Sequence, residues 1–384
     1  MVRIWFQDID ALDVYNFGLV NSLVNSDISV TFGASQIRNF VKGMGLKSCL
    51  KNQHVPQNER LRIKLMNPPK SESRASLITK SLDPLYQRYF ASFDLLHLNF
   101  LPAPYVVPAL KVDVPRILTF HDHMLADEQN LTKINELSQI FDKMSYVTTP
   151  NKFMARILKE KLDCNAIVIP HAINVNQFSA SMPKEVARCN LGISPSAKVV
   201  FWNSRLSPEK QPEILIDAIP TIVKKLPPVV FLIHCKDAKG SQYGRQMLQY
   251  AKTKFERADV ESNVRFIFKF LTHEELMSYY HSADVFVHTS RLEAFGLVLA
   301  ESMACKVPIV ATDTPWSREI LGDYALFFKQ GNSIDLAEKV IKLLEDENLC
   351  ASLSERAYRR VSNFSWKEAA QAYINLYKLA IQER

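Results

Sequence analysis

Short apolar runs alternate with helix-period segments along nearly the whole chain, and no other feature limits its fold so strongly. Residues 3–6, 28–32, 95–98, 116–120, 146–149 and 166–169 form one series of strand-like runs. A second series follows at 198–202, 229–234, 264–268, 285–288 and 309–311, with helical patterns at 209–225, 274–281, 297–304 and 334–344. Continuous apolar strands spaced by helices predict parallel sheets buried on both faces, because each crossover lays a helix against the sheet. The fold class is α/β and doubly wound. Two such series predict two similar domains, and 384 residues exceed what one ordinary core holds. The pattern breaks at 169–183, so the domains are expected at 1–172 and 173–365. A last helix, 366–384, opens at Ser365-Trp366 and is expected to pack back on the first domain; Ser365 is its N-cap candidate, with Glu368 placed to complete a capping box. Residues 51–81, polar and carrying Pro68-Pro69, read as an irregular excursion.

Charge and cysteine usage narrow the setting. No eighteen-residue apolar run occurs, and MVRIWFQDIDALD lacks the basic-then-apolar plan of a signal peptide. Cys49, Cys164, Cys189, Cys235, Cys305 and Cys350 are scattered without a CxxC pair, which favours thiols in a reducing compartment over disulfides or a zinc site. A cytoplasmic protein is expected, at most peripheral on the inner face of a membrane. The net charge of +7 is concentrated: between Arg38 and Arg88 eleven Lys or Arg face three acids, a local excess of eight. Aromatic interleaving is thin there, which turns the segment away from nucleic acid and toward an anionic membrane or a phosphorylated acceptor.

Two stretches carry chemistry. RLEAFGLVLAE, from Arg291 to Glu301, sets two carboxylates, Glu293 and Glu301, eight positions apart around Phe295-Gly296-Leu297. In regular helix that spacing is a rise of about 12 Å, enough to hold two ends of one polar ligand. Gly296 would let the ligand approach the backbone, whose free N–H groups at a helix start favour an anion. Alone, the motif also fits an ordinary core helix headed by an exposed Glu. Its partner stretch, FWNSRLSPEKQPEILIDAI from Phe201 to Ile219, reads strand, turn, helix. Arg205 and Lys210 flank the turn and can converge above the C-terminal sheet edge, where open α/β folds bind ligands. Arg offers a planar fork and Lys a mobile point charge, the pair a diphosphate needs.

Together these stretches resemble the retaining family-4 glycosyltransferases of the GT-B fold. The likeness is strongest over 199–328; EELMSYYHSADVFVHTSRLEAFGLVLAESMACKVPIVATD matches that family's signature nearly end to end. FDLLHLNF, ILTFHDH and VIPHAINVNQF match its N-terminal domain and linker in order. The resemblance implies GT-B: two Rossmann-like domains facing across a cleft, the first for the acceptor and the second for a nucleotide-sugar donor. It gives Glu301 the ribose hydroxyls. Glu293 with Phe295, Gly296 and Leu297 takes the donor sugar and distal phosphate, Arg205 and Lys210 the diphosphate, and His121 the transferred sugar. The implied reaction is transfer of a sugar from a nucleoside diphosphate to a glycan or lipid-linked acceptor, in cell-envelope or surface polysaccharide synthesis, with no metal and no other cofactor.

The chain departs from the family in its glycines, of which it has only ten. The first loop, QDIDALDVYNFG, has Asp8, Asp10 and Asp13 where a Gly-Gly pair is usual, and carboxylates repel a diphosphate. Ala172, Ser204 and Gln211 also stand where glycine is usual, and His234-Cys235-Lys236-Asp237 replaces a glycine-rich strand end. These departures keep two alternatives open: a sugar-nucleotide epimerase or phosphorylase of the same fold, and a non-catalytic scaffold. A dinucleotide-binding dehydrogenase is excluded, since no GxGxxG follows the first strand.

Overall fold

The computed structural model describes residues 2–8, 19, 22–23, 28–34, 61–65, 87–99, 109–129, 131–179, 182–236 and 238–384. The aspartates of the first loop beyond Asp8 lie outside these residues, as does most of the basic segment from Arg38 to Arg88. Among the described residues no helix is long and apolar enough to cross a membrane. The chain divides into two compact units, Met1–Ile173 with Phe364–Arg384, and Asn174–Asn363.

In the first unit the strands are β1 (Val2–Asp8), β2 (Ile28–Ala34), β3 (Leu61–Leu65), β4 (Leu95–Leu98), β5 (Arg116–Thr119), β6 (Tyr146–Thr149) and β7 (Ile167–Val168). They pair in parallel in the order β3-β2-β1-β4-β5-β6-β7. β4 is buried at every position, as its uninterrupted LLHL predicts. β3 corrects the sequence expectation, for the supposed excursion at 51–81 contains a strand. Its LRIKL alternates apolar with basic residues, and its place at the sheet edge is where charged strands are tolerated.

The second unit repeats the plan. Its strands are β8 (Lys198–Asn203), β9 (Val229–His234), β10 (Val264–Ile267), β11 (Val285–His288), β12 (Ile309–Thr312) and β13 (Leu326–Phe328), ordered β10-β9-β8-β11-β12-β13 and all parallel. Both sheets reverse strand order beside their first strand, the doubly wound Rossmann arrangement. β13 was not foreseen; at three residues it is too short to show a period. The core of this unit joins Val200, Trp202, Phe231, Val285 and Val310 of the sheet to Ile216, Ile219 and Leu336 of the covering helices.

The C-terminal helix, Trp366–Gln382, belongs to the first unit. Ser365 caps it, its side chain accepting from Glu368 N at 3.3 Å. Tyr373, Leu376 and Tyr377 enter a core with Ile4, Leu95 and Ile117. Polar groups fix it further: Tyr373 Oη lies 2.8 Å from Thr119 Oγ1, and Tyr377 Oη 2.6 Å from His97 Nδ1. Buried hydroxyls that find partners add directional contacts to the apolar packing.

Candidate functional site

The charged residues singled out in the second unit fall on loops and helix starts at the C-terminal ends of its strands. After β8 the chain makes a single 3₁₀ turn, Pro208–Lys210, then breaks at Gln211 before the helix Pro212–Lys225. This corrects the expected helix at 209–225. Gln211 holds φ +45°, the left-handed region that glycine fills without cost, so the position keeps a glycine-like backbone without the glycine. The break turns Lys210 inward. Its side chain is 8% exposed, and Nζ donates a short charge-assisted hydrogen bond to Glu293 Oε1.

Glu293 is not helical. The helix Leu297–Ala304 begins only after Gly296, so the 12 Å rise expected between Glu293 and Glu301 does not apply. Gly296 sits at φ +81° as the N-cap, and a Cβ there would meet Leu299 and Trp316 at 3.4 Å. Glycine is required by conformation more than by space. Glu293 has further donors, with Ser290 Oγ at 3.1 Å and His288 Nε2 at 3.4 Å. Burial alone would push its carboxyl upward; the Lys210 ammonium and the His288 hydrogen bond outweigh that and hold it well below the usual carboxylate range. His288 is lowered by burial against the pull of Glu293, which leaves a neutral ring with Nε2–H for the carboxylate. Its Nδ1 is buried and has no hydrogen-bond partner among the described residues.

Arg205 stands apart, with a 58% exposed side chain 3.4 Å from Glu209 Oε1. Glu209 also accepts from Ser207 Oγ at 2.6 Å, and its carbonyl accepts from Arg291 N at 2.9 Å. The two cation-bearing turns are thereby tied together. Thr289 Oγ1 adds a second tie, donating to Lys210 O at 2.6 Å and accepting from Trp202 Nε1 at 3.1 Å.

Glu301, one turn into its helix, has a different environment. Tyr280 Oη, from the helix His273–Ser282, donates to Oε2 at 2.7 Å. Burial raises this carboxyl to about 7, against the lowering effect of Tyr280. The two glutamates of one motif thus differ: one is ionised and paired, the other can hold a proton near neutrality. Phe295 is buried beneath the helix start and Leu297 opens the helix.

In the first unit His121 follows β5. Its Nδ1 lies 2.8 Å from His171 Nε2, and its Nε2 3.4 Å from Asn99 Oδ1. Burial lowers its pKa to about 4 and lowers His171 as well, so both rings are neutral at pH 7. Thr119 carries a deeper chain, bonded to His97 Nε2 at 2.7 Å and Thr148 Oγ1 at 2.7 Å. The supports His171, Asn99, His288, Ser290, Tyr280 and Glu209 were not singled out from sequence, although all six stand inside quoted motifs. Among the described residues no group of three or more His, Cys, Asp or Glu could hold a metal ion.

Two Rossmann-type parallel sheets, the second with cations and carboxylates at its C-terminal edge, define a doubly wound α/β protein of two similar units. Residues 183–360 match the family model "Glycosyl transferases group 1". A D-inositol 3-phosphate glycosyltransferase of Corynebacterium urealyticum is 28% identical over 295 residues, 74% of this chain and 67% of that protein. A sucrose-phosphate synthase from Thermosynechococcus elongatus superimposes with TM-score 0.80 at 16% identity, covering 100% of both chains. Anabaena HepE in complex with UDP and glucose superimposes with TM-score 0.78 at 21% identity, covering 98% of this chain and 100% of HepE. The chain has the GT-B fold of these structures, and its residues 183–360 are similar to the group 1 glycosyltransferases.

Proposed function

We propose that this chain moves a sugar from a nucleoside diphosphate to a glycan or lipid-linked acceptor, with retention at the anomeric carbon. The observation that carries this is the buried Lys210–Glu293 pair beside the glycine-headed start of the helix Leu297–Ala304. A sugar C1–O bond breaks as the diphosphate leaves with growing negative charge. Lys210 and Arg205 meet that charge, and an interaction that strengthens as charge develops lowers the barrier. Glu293 aims Lys210 and offers its second oxygen to the donor sugar. The backbone from Phe295 to Leu297 cradles the distal phosphate, and Glu301 takes the ribose hydroxyls. Retention follows from same-face attack: the acceptor oxygen bonds to C1 while its proton passes to the leaving phosphate. Two cations do the electrostatic work without a metal.

In this proposal the first unit takes the acceptor. A neutral His121 can donate a hydrogen bond to a hydroxyl of the transferred sugar without adding charge. The basic segment between Arg38 and Arg88 gives the acceptor half affinity for a phosphate-bearing or membrane-borne acceptor, as in cell-envelope polysaccharide synthesis at the cytoplasmic face. The Corynebacterium relative, named for an inositol phosphate, supports an anionic acceptor. Liposome flotation tests the membrane part: recovery with anionic vesicles above neutral ones is expected, and equal recovery would remove it.

The test of the donor site is calorimetric binding of UDP, GDP, ADP, CDP and TDP, with Glu301→Ala as control. One nucleotide should bind, and the control should lose it. No binding by any of the five would favour a non-catalytic scaffold.

A further inference from the structure

A polar chain lies behind Glu301, built from residues that the donor reading does not use. His234, the last residue of β9, is 7% exposed. Its Nε2 is 3.0 Å from the Lys269 carbonyl and its Nδ1 2.8 Å from the Asn203 side-chain amide. Asn203 ends the neighbouring strand β8, and the other end of its amide is 3.5 Å from Tyr280 Oη. Tyr280 then meets Glu301 Oε2 at 2.7 Å. The longest link is Asn203 to Tyr280.

We propose that Asn203 and His234 are positioning residues for Glu301: through Tyr280 they fix its orientation and whether it meets a ligand ionised. The inference rests on Glu301 being the carboxylate that receives the nucleotide's ribose hydroxyls.

Hydrogen-bond accounting gives the reason. The Lys269 carbonyl can only accept, so His234 Nε2 carries a proton. Tyr280 Oη also lies 3.4 Å from the Val298 carbonyl, a longer contact than the one to Glu301, and two arrangements satisfy the chain through Glu301. In the first, His234 Nδ1 is also protonated and donates to Asn203 Oδ1, Asn203 Nδ2 donates to Tyr280, and Tyr280 donates to ionised Glu301. In the second, the Asn203 amide is turned over and Nδ2 donates to a bare Nδ1. Tyr280 then donates to Asn203 Oδ1, and Glu301 keeps a proton that it gives to Tyr280 Oη. Both arrangements hold the same number of protons; one proton sits at opposite ends of the chain. Ribose hydroxyls are donors, and a carboxylate accepts more of them than a carboxylic acid does. Nucleotide therefore selects the first arrangement, in which Glu301 is ionised. Among the described residues Cys305, one turn along the same helix, also interacts with Glu301, and burial and Glu301 together push its thiol up beyond the neutral range. Beside His234, Lys269 pairs its ammonium with Glu275, and Lys236 lies 4.6 Å over the Phe270 ring.

The test uses the full chain and the nucleoside diphosphate that the panel identifies, with binding measured from pH 5.5 to 9. His234→Gln and Asn203→Ala should bind about fivefold more weakly at pH 7 and recover by pH 9, a midpoint displaced upward by about one pH unit. Tyr280→Phe, which removes the hydroxyl itself, should move it further. Weakening by the same factor at every pH, or an unchanged profile, would overturn the inference. The carboxyl ¹³C resonance of Glu301, assigned by its loss in Glu301→Gln, gives a ligand-free measure. Its midpoint should rise in both variants, and an unmoved midpoint would overturn the coupling even if the variants fold poorly enough to bind weakly. Absence of nucleotide binding in the wild type would instead sink the donor reading, while the titration still decides the coupling.

Discussion

Glu293 and Glu301 share one eleven-residue motif and receive opposite electrostatic treatment. The ammonium of Lys210 keeps Glu293 ionised, so removing that ammonium leaves a buried carboxylate unpaired. Lys210→Ala should cost about 3–5 kcal/mol of stability and slow turnover roughly 10²-fold or more. Adding Glu293→Gln to it should restore much of the melting temperature and none of the turnover; thermal denaturation and kcat on the same samples separate the two effects. Glu301 runs the other way. Its folded carboxyl titrates near 7, above its value of 4.5 in the open chain. Between those values the folded state holds a proton that the unfolded chain has lost, so stability falls as pH rises through the window. The cost reaches about 3 kcal/mol above pH 7. Glu301→Gln should therefore raise the melting temperature at pH 8 and leave it unchanged at pH 4. Equal effects at both values would contradict the assignment. Residue types and spacing pointed to these two acids. Their different charge states were not legible, because they depend on Lys210, 83 positions from Glu293, and on the burial of Glu301, which outweighs the hydrogen bond from Tyr280.

Elements were read well where a period is sustained and poorly where it is cut short. Strands β4, β6, β9 and β11 stand where continuous apolar runs placed them. β3 was missed because LRIKL mixes charge with apolar residues at a sheet edge, and the break at Gln211 because no glycine marks it. Both are local exceptions that tertiary contacts stabilise. The start of the helix Leu297–Ala304 depends on the left-handed backbone of Gly296. Gly296→Ala should cost about 1–2 kcal/mol from conformation alone. It should also weaken nucleotide binding, since the strain relaxes by moving the backbone proposed to meet the phosphate. Calorimetry and denaturant melts would give both numbers, and a variant with wild-type affinity would remove the helix start from the site.

At the scale of the whole molecule, acid should act on the first unit through its buried histidines, as it should on the second through His273, His281 and His288. Burial lowers the pKa of His97, His121 and His171, the second of them to about 4. Below about 6.5 the unfolded chain binds protons that these folded rings refuse, so stability is lost as pH falls from 6.5 toward 4. His121→Gln should flatten that loss, measured by denaturation monitored at several pH values. Tyr373 and Tyr377 of the C-terminal helix bond into the same chain of hydroxyls and imidazoles. Acid should consequently loosen this helix together with β4, β5 and β6.

By itself the sequence determined the alternation of strand and helix, the two-unit doubly wound plan and the charged residues at strand ends, because these follow from local period and residue chemistry. Only the tertiary structure decided which carboxylate meets which cation. It also decided that His121 rests on His171, and that Asn203, Tyr280 and His234 stand in a row behind Glu301. Such pairings join positions far apart in the chain, and no local period or propensity encodes them.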